Sequence, residues 1–118
     1  MEKKSSEELV KLVVSALEDK KGEDIAVLDI HEVTVIADYF ILATGKSSSQ
    51  IEAMTEAVDE VLAKENVFVK HTEGLQGKNW ILMDYGDIIV HIFDQENRLF
   101  YDLERIWKDG KKVSVEEL

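Results

Sequence analysis

Four short patterns in this 118-residue sequence contain residue types suited to chemistry. His31-Glu32 opens H-E-x-x-H, in which two histidines one helical turn apart hold zinc and the glutamate acts as base. Val35 stands where the second histidine belongs, and Val33-Thr34-Val35-Ile36 is poor helix. Gly45-Lys46-Ser47 matches the end of a phosphate-binding loop between a strand and a helix. Phe40 occupies the place of the earlier glycine, so successive backbone amides cannot wrap a phosphate, and Ser48 or Ser49 reads as a helix cap. Amides at that helix start keep some capacity for an anion. Gly45-x-Ser47 also falls short of G-x-S-x-G, because Ser49 replaces the closing glycine. Asp84 and Asp87 are a carboxylate pair of the kind that holds Mg²⁺ with substrate phosphates. With the Gly45 loop they define an alternative reading, a Mg-dependent nucleotidyl- or phosphotransferase. Asp and Gly also populate turns for purely local reasons. His71 and His91 fall in separate strands and give no ligand pair by spacing. The sequence therefore predicts no catalytic residue, no metal site and no cofactor.

Composition narrows the classes further. Hydrophobic residues make up 45% and charged residues 33%, an ordinary globular balance. At this length one domain over 1–118 is expected, ordered over about 5–109, with 110–118 a charged tail. No apolar run reaches the roughly 18 residues of a membrane span, and the first residues contain no secretory h-region, so the expected location is cytoplasmic. Cysteine is absent, which excludes disulfides and thiolate chemistry. Fourteen basic against 25 acidic residues give a net charge of −11. Nucleic-acid binders gain affinity by neutralising phosphates, so no direct DNA binding and little direct RNA binding are expected. A basic protein partner suits this charge, because opposite potentials steer encounter. The acid is concentrated: residues 25–66 hold eight acidic residues and two lysines.

The elements that must position these residues read as α-β-β-α-β-β-β-α. Ser5 with Glu8 forms a capping box, followed by Leu9, Leu12, Val13, Ala16 and Leu17 at helical spacing and Gly22 as a stop. Ser49 with Glu52 opens a second helix with an Ile51, Met54, Val58, Val61, Leu62 stripe, which Asn66 can end in a left-handed conformation. A third helix, from about Glu96 to Lys108, presents Leu99, Phe100, Leu103, Ile106 and Trp107. Strands are predicted at Ile25–Ile30, Tyr39–Thr44, Val67–His71, Trp80–Tyr85 and Ile88–Phe93. The expected fold is α/β, a mixed five-stranded sheet packed with helices. The strand-helix-strand over 39–71 is expected to make two strands parallel, and nearly continuous apolar strands imply cover on both faces.

The link Asp84-Tyr85-Gly86-Asp87 demands an antiparallel hairpin. With Tyr85-Gly86 as its turn, Asp84 pairs Asp87, Leu82 pairs Ile89 and Trp80 pairs His91. Alternation then puts Trp80, Leu82, Ile89, His91 and Phe93 on one face, with the two carboxylates at its rim. The opposite face, Ile81, Met83, Ile88, Val90 and Ile92, is uniformly apolar and is the better core face. A face mixing Trp, His and Asp suits an interface, since aromatics anchor binding.

Several ordered motifs carry a family resemblance. They are Asp38-Tyr39-Phe40-Ile41-Leu42-Ala43-Thr44-Gly45 with Ser47 and Gln50, Glu73-Gly74, Gly77-x-x-Trp80, Asp84-Tyr85-Gly86-Asp87-x-x-Val90-His91-x-Phe93, and Arg98-x-Phe100-Tyr101-x-Leu103-Glu104-x-x-Trp107. Together they resemble the Iojap family, the bacterial ribosomal silencing factors, over nearly the whole chain. Ser49 departs from the pattern, since relatives often carry arginine there, and this weakens the case for a basic contact from that helix start. The resemblance implies a nucleotidyltransferase-like α-β-β-α-β-β-β-α fold without the transferase machinery, Gly45 and Asp84 being far apart in sequence. It also implies a homodimer that binds the large ribosomal subunit through its basic protein fourteen. Bound there, it would block joining of the small subunit and repress translation under nutrient limitation. Within that reading, hairpin geometry makes Trp80 and Tyr85 apolar anchors and Asp84 and Asp87 partners of basic groups. His91 and Tyr101 are expected to form hydrogen bonds at the rim.

Overall fold

A computed structural model describes residues 5–32, 35, 37–77, 79–101 and 111–113; for 99–101 and 111–113 the description is of the backbone. The elements are α1 (Ser6–Asp19), β1 (Glu23–Asp29), β2 (Tyr39–Gly45), α2 (Ser48–Ala63), β3 (His71–Glu73), β4 (Trp80–Asp84), β5 (Ile88–Asp94), α3 (Gln95–Tyr101) and β6 (Lys111–Val113). The strands form one mixed sheet in the order β3-β4-β5-β2-β1-β6. β2 and β5 run parallel at its centre and the remaining pairs are antiparallel. The five expected strands are present. β6 pairs Val27 with Val113, so the edge extends into a segment that composition alone reads as tail.

Local signals account for the helix ends. The Ser5 hydroxyl accepts from the Glu8 amide at 3.3 Å, as the first capping box requires. The second helix begins earlier than Ser49 because Ser47 is its cap. The Ser47 hydroxyl accepts from Gln50 N–H at 3.1 Å, and Gln50 Oε1 accepts from Lys46 N–H at 2.6 Å. Asn66 takes φ 63° and Val67 N–H reaches back to the Leu62 carbonyl, closing α2 as a left-handed residue does. At the end of α1 the left-handed residue is Lys21, φ 62°, one position before Gly22. The third helix is described as far as Tyr101. Its expected continuation to Lys108, with Leu103, Ile106 and Trp107, lies outside the described residues, as does the 114–118 part of the tail.

The sheet buries both faces, as its continuous apolar strands imply. β2 is buried at all seven positions and β5 at six of seven. On the first face, Ile41, Ala43, Ile81, Met83, Ile88, Val90 and Ile92 pack under Leu9, Val13 and Leu17 of α1 and Ile51, Met54, Val58 and Leu62 of α2. Each fully buried side chain of this size stabilises the fold by roughly 1.5–3 kcal/mol. On the second face, Phe40, Leu42, Ile89 and Phe93 form a smaller cluster with Ala26, Leu28, Ile30 and Ala37. α3 reaches this side, where Arg98 Nη1 donates to Thr44 Oγ1 at 3.1 Å. The 39–71 connection makes β2 and β3 parallel, but β5 and β4 lie between them. β3 also starts later than expected. Val67 and Val69 pack on the first-face core, and ladder pairing begins only at His71 opposite Asp84.

Candidate partner-binding surface

The β4–β5 hairpin positions most of the candidate residues. Its register is Trp80↔Phe93, Ile81↔Ile92, Leu82↔His91, Met83↔Val90 and Asp84↔Ile89. Tyr85 N–H donates to the Ile88 carbonyl at 3.0 Å, so the turn residues are Gly86 and Asp87, not Tyr85 and Gly86. Gly86 takes φ 95°, as the first position of a primed hairpin turn demands, and its N–H donates to Asp84 Oδ1 at 2.8 Å. The pairing therefore differs from the expected one by two positions. Because side chains alternate with period two, the membership of the two faces is unchanged.

The turn shift decides the fate of Tyr85. It belongs to the helix-covered face, buried in the core, with its hydroxyl donating to Asp59 Oδ1 on α2 at 3.1 Å. Burial, then the Asp59 carboxylate, raises its phenol pKa above the ordinary value. Tyr85 is thus a core tyrosine joined to α2, not a surface anchor.

The second face has a depth that alternation alone does not reveal. Ile89, Phe93 and His91 are buried, the last at 3% exposure, while Trp80 and Leu82 stand half-buried above them. His91 lies edge-on to Phe40, with ring centroids 4.9 Å apart, and stacks on Phe93 at 6.2 Å. Trp80 stacks on Phe93 at 5.2 Å and donates its indole N–H to His91 Nδ1 at 3.0 Å. Burial holds the His91 pKa down, at about 4, so the ring is neutral and carries its proton on Nε2. His91 therefore lies beneath the surface and is not a rim residue. Tyr101 is the last residue of α3, and its side chain lies outside the described part.

At the end of the hairpin, Asp84 is half-buried and Asp87 exposed. The Asp87 carbonyl accepts from Asp38 N–H at 2.7 Å and Tyr39 N–H at 3.3 Å, fixing the turn against the start of β2. On the neighbouring edge strand, His71 faces Asp84 across the ladder, and its Nε2 lies 3.5 Å from Glu73 Oε1. Two exposed apolar side chains were not singled out from sequence: Phe68, 62% exposed, and Leu75, 50% exposed. Alternation around Val67 and Val69 was the available signal for Phe68, because it turns that ring away from the core.

The other chemistry-bearing residues do not converge. Gly45 pairs with Asp94 at one end of β5, whereas Asp84 pairs with Ile89. Five strand residues, about 17 Å, separate those ends, so the Gly45 loop and the carboxylate pair do not form one site. Lys46 Nζ lies 3.5 Å from Glu23 Oε2. His31 contacts Asp29, and that hydrogen bond raises its pKa. Among the described residues, no group of three His, Asp or Glu side chains is placed to hold a metal, and no helix is long and apolar enough to cross a membrane.

Comparison with known proteins places this arrangement. Residues 3–118 match the family model described as ribosomal silencing factor during starvation. The ribosomal silencing factor of Halalkalibacterium halodurans is 35% identical over 112 residues, 95% of this chain and 96% of that protein. A crystal structure of a Chromobacterium violaceum protein superposes with a TM-score of 0.86 at 37% identity, covering 94% of this chain and 92% of the other. A mouse protein named for mitochondrial assembly of the ribosomal large subunit is 26% identical over 102 residues, 83% of this chain and 44% of that protein. With a family model spanning nearly every residue and a close relative matched almost end to end, this chain belongs to the ribosomal silencing factor family.

Proposed function

We propose that this protein docks on the large ribosomal subunit through the second face of its hairpin and sterically prevents the small subunit from joining, repressing translation when nutrients are scarce. The observation that carries the reading is the half-buried pair Trp80 and Leu82 standing on a packed aromatic layer, with Asp84 and Asp87 at the adjoining rim. An aromatic anchor held on a rigid sheet, flanked by carboxylates, suits a basic protein surface. A net charge of −11 disfavours direct contact with ribosomal RNA, so the reading assigns the contact to a basic ribosomal protein, number fourteen of the large subunit. The site of action is then the cytoplasm. No chemistry is needed: occupancy follows mass action, and the bound protein excludes its competitor. The same apolar rim also suits a second copy of the chain, so a homodimer would compete with docking.

Sucrose-gradient sedimentation with separated subunits tests the proposal. The protein should travel with the large subunit and reduce the yield of rejoined particles. Trp80→Ala should weaken binding by roughly 2 kcal/mol, the loss of a hot-spot aromatic. Travel with the small subunit, or undiminished rejoining at saturating protein, refutes it.

A further inference from the structure

His91 places a polar ring in a layer that is otherwise apolar except for Thr44, the other buried polar side chain among the described residues. Phe40, Leu42, Ile89 and Phe93 surround it, and among the described residues Nε2 has no hydrogen-bond partner. A buried donor left unpaired costs stability, and an apolar ring of the same shape would avoid that cost. Among the described residues, the imidazole's hydrogen bond is the one at Nδ1, accepted from the indole N–H of Trp80 at 3.0 Å. Trp80 and His91 are diagonal neighbours across the ladder, since Trp80 pairs Phe93 and Leu82 pairs His91. Ring stacking on Phe93 fixes the plane of the indole, and the bond to Nδ1 fixes which edge turns inward.

We propose that His91 is a positioning residue: its Nδ1 holds the Trp80 indole in the orientation that meets the partner, and His91 touches no partner itself. This rests on the docking reading above. The stability lost at Nε2 is offset in function by a pre-set anchor, which meets its partner without first losing rotamer freedom.

The test uses the full chain in three variants. His91→Phe keeps the ring and removes the acceptor; His91→Asn puts a carbonyl oxygen near the position of Nδ1; Trp80→Ala removes the anchor. Large-subunit binding, thermal melting and the ¹⁵N–¹H indole resonances, assigned through Trp80→Phe, are measured on each. His91→Phe should melt no lower than the parent, bind about fivefold more weakly, the size of one hydrogen bond, and show an altered, faster-exchanging Trp80 indole resonance. His91→Asn should restore both the resonance and the binding to within twofold. If the phenylalanine variant fails to fold, His91→Leu serves in its place. Parent-like binding by His91→Phe, with binding lost in Trp80→Ala, overturns the positioning role and leaves the docking reading standing. Parent-like binding by Trp80→Ala removes the docking reading and this inference with it. An unchanged Trp80 resonance in His91→Phe overturns the positioning role whatever the binding result.

Discussion

Replacing Tyr85 by phenylalanine separates a core residue from a contact residue with the loss of one oxygen atom. The ring is buried on the first face and its hydroxyl donates to Asp59 Oδ1 at 3.1 Å. Removing the hydroxyl leaves the ring packing intact and costs the net worth of that bond. A hydrogen bond to a charged acceptor in a dry site contributes about 1.5–3 kcal/mol. Asp59 is exposed, so its carboxylate regains water in the variant, and the expected loss falls to about 1 kcal/mol. For a chain of this length that corresponds to about 4 °C in melting temperature. Urea unfolding followed by far-ultraviolet circular dichroism should show a lower midpoint with an unchanged slope. Large-subunit binding by the folded variant should match the parent within twofold. Undiminished stability with clearly weaker binding would refute the reasoning, because the hydroxyl would then serve a partner and not Asp59. Tyr85→Ala should be far worse, losing about 3–5 kcal/mol through the cavity left under α2.

Three further outcomes are expected. Gln50 ties the two helices together, its Nε2 donating to the Lys20 carbonyl at 3.1 Å and the Lys21 carbonyl at 2.8 Å while Oε1 accepts from Lys46 N–H. Gln50→Ala should lose about 1–2 kcal/mol in urea unfolding; Gln50→Glu should lose more, since an acceptor then faces two carbonyls, and a glutamate variant as stable as the parent would contradict the clasp. Gly74 has φ 83°, and an added Cβ would lie 2.0 Å from the Trp80 carbonyl oxygen; Gly74→Ala should therefore destabilise by more than 1 kcal/mol, and parent-like melting would show that the β3–β4 connection has another conformation. The His91 pKa is held at about 4 when folded against 6.5 in a free chain, so the unfolded state binds the extra proton and stability falls as pH drops from 6.5 towards 4. The loss approaches roughly 3 kcal/mol, and a His91→Phe variant with the same slope over that window would show that His91 does not set it.

Sheet alternation made much of this fold readable. Trp80, Leu82, Ile89, His91 and Phe93 share a face as expected, and the uniformly apolar set of Ile81, Met83, Ile88, Val90 and Ile92 lies under the helices. The expected turn puts Tyr85 first, where a primed hairpin turn wants a residue with positive φ; Gly86-Asp87 meets that requirement and Tyr85-Gly86 does not. Burial of the tyrosine ring and its bond to Asp59, a contact 26 residues away in sequence, reinforce the same choice. The depth of His91 was hidden because period-two logic assigns a side but not the thickness above it. β6 escaped notice since Lys111-Lys112-Val113 has one apolar residue, and its pairing is fixed by the open edge of β1. The cap at Ser47 was legible in principle, as Ser-x-x-Gln is a capping box with Gln50 in the glutamate's place.

The central pairing of β2 with β5 has a consequence for how the chain is born. Ile88, the first partner of Tyr39, lies 49 positions further on in the sequence. During synthesis β2, whose seven residues are all buried in the finished fold, leaves the ribosome with β1 along one side and nothing along the other until the hairpin emerges. A half-made copy thus presents a bare, sticky strand for as long as those residues take to translate. Slow elongation prolongs that interval, and nascent-chain holdases should engage this protein most strongly just before residue 88 clears the exit.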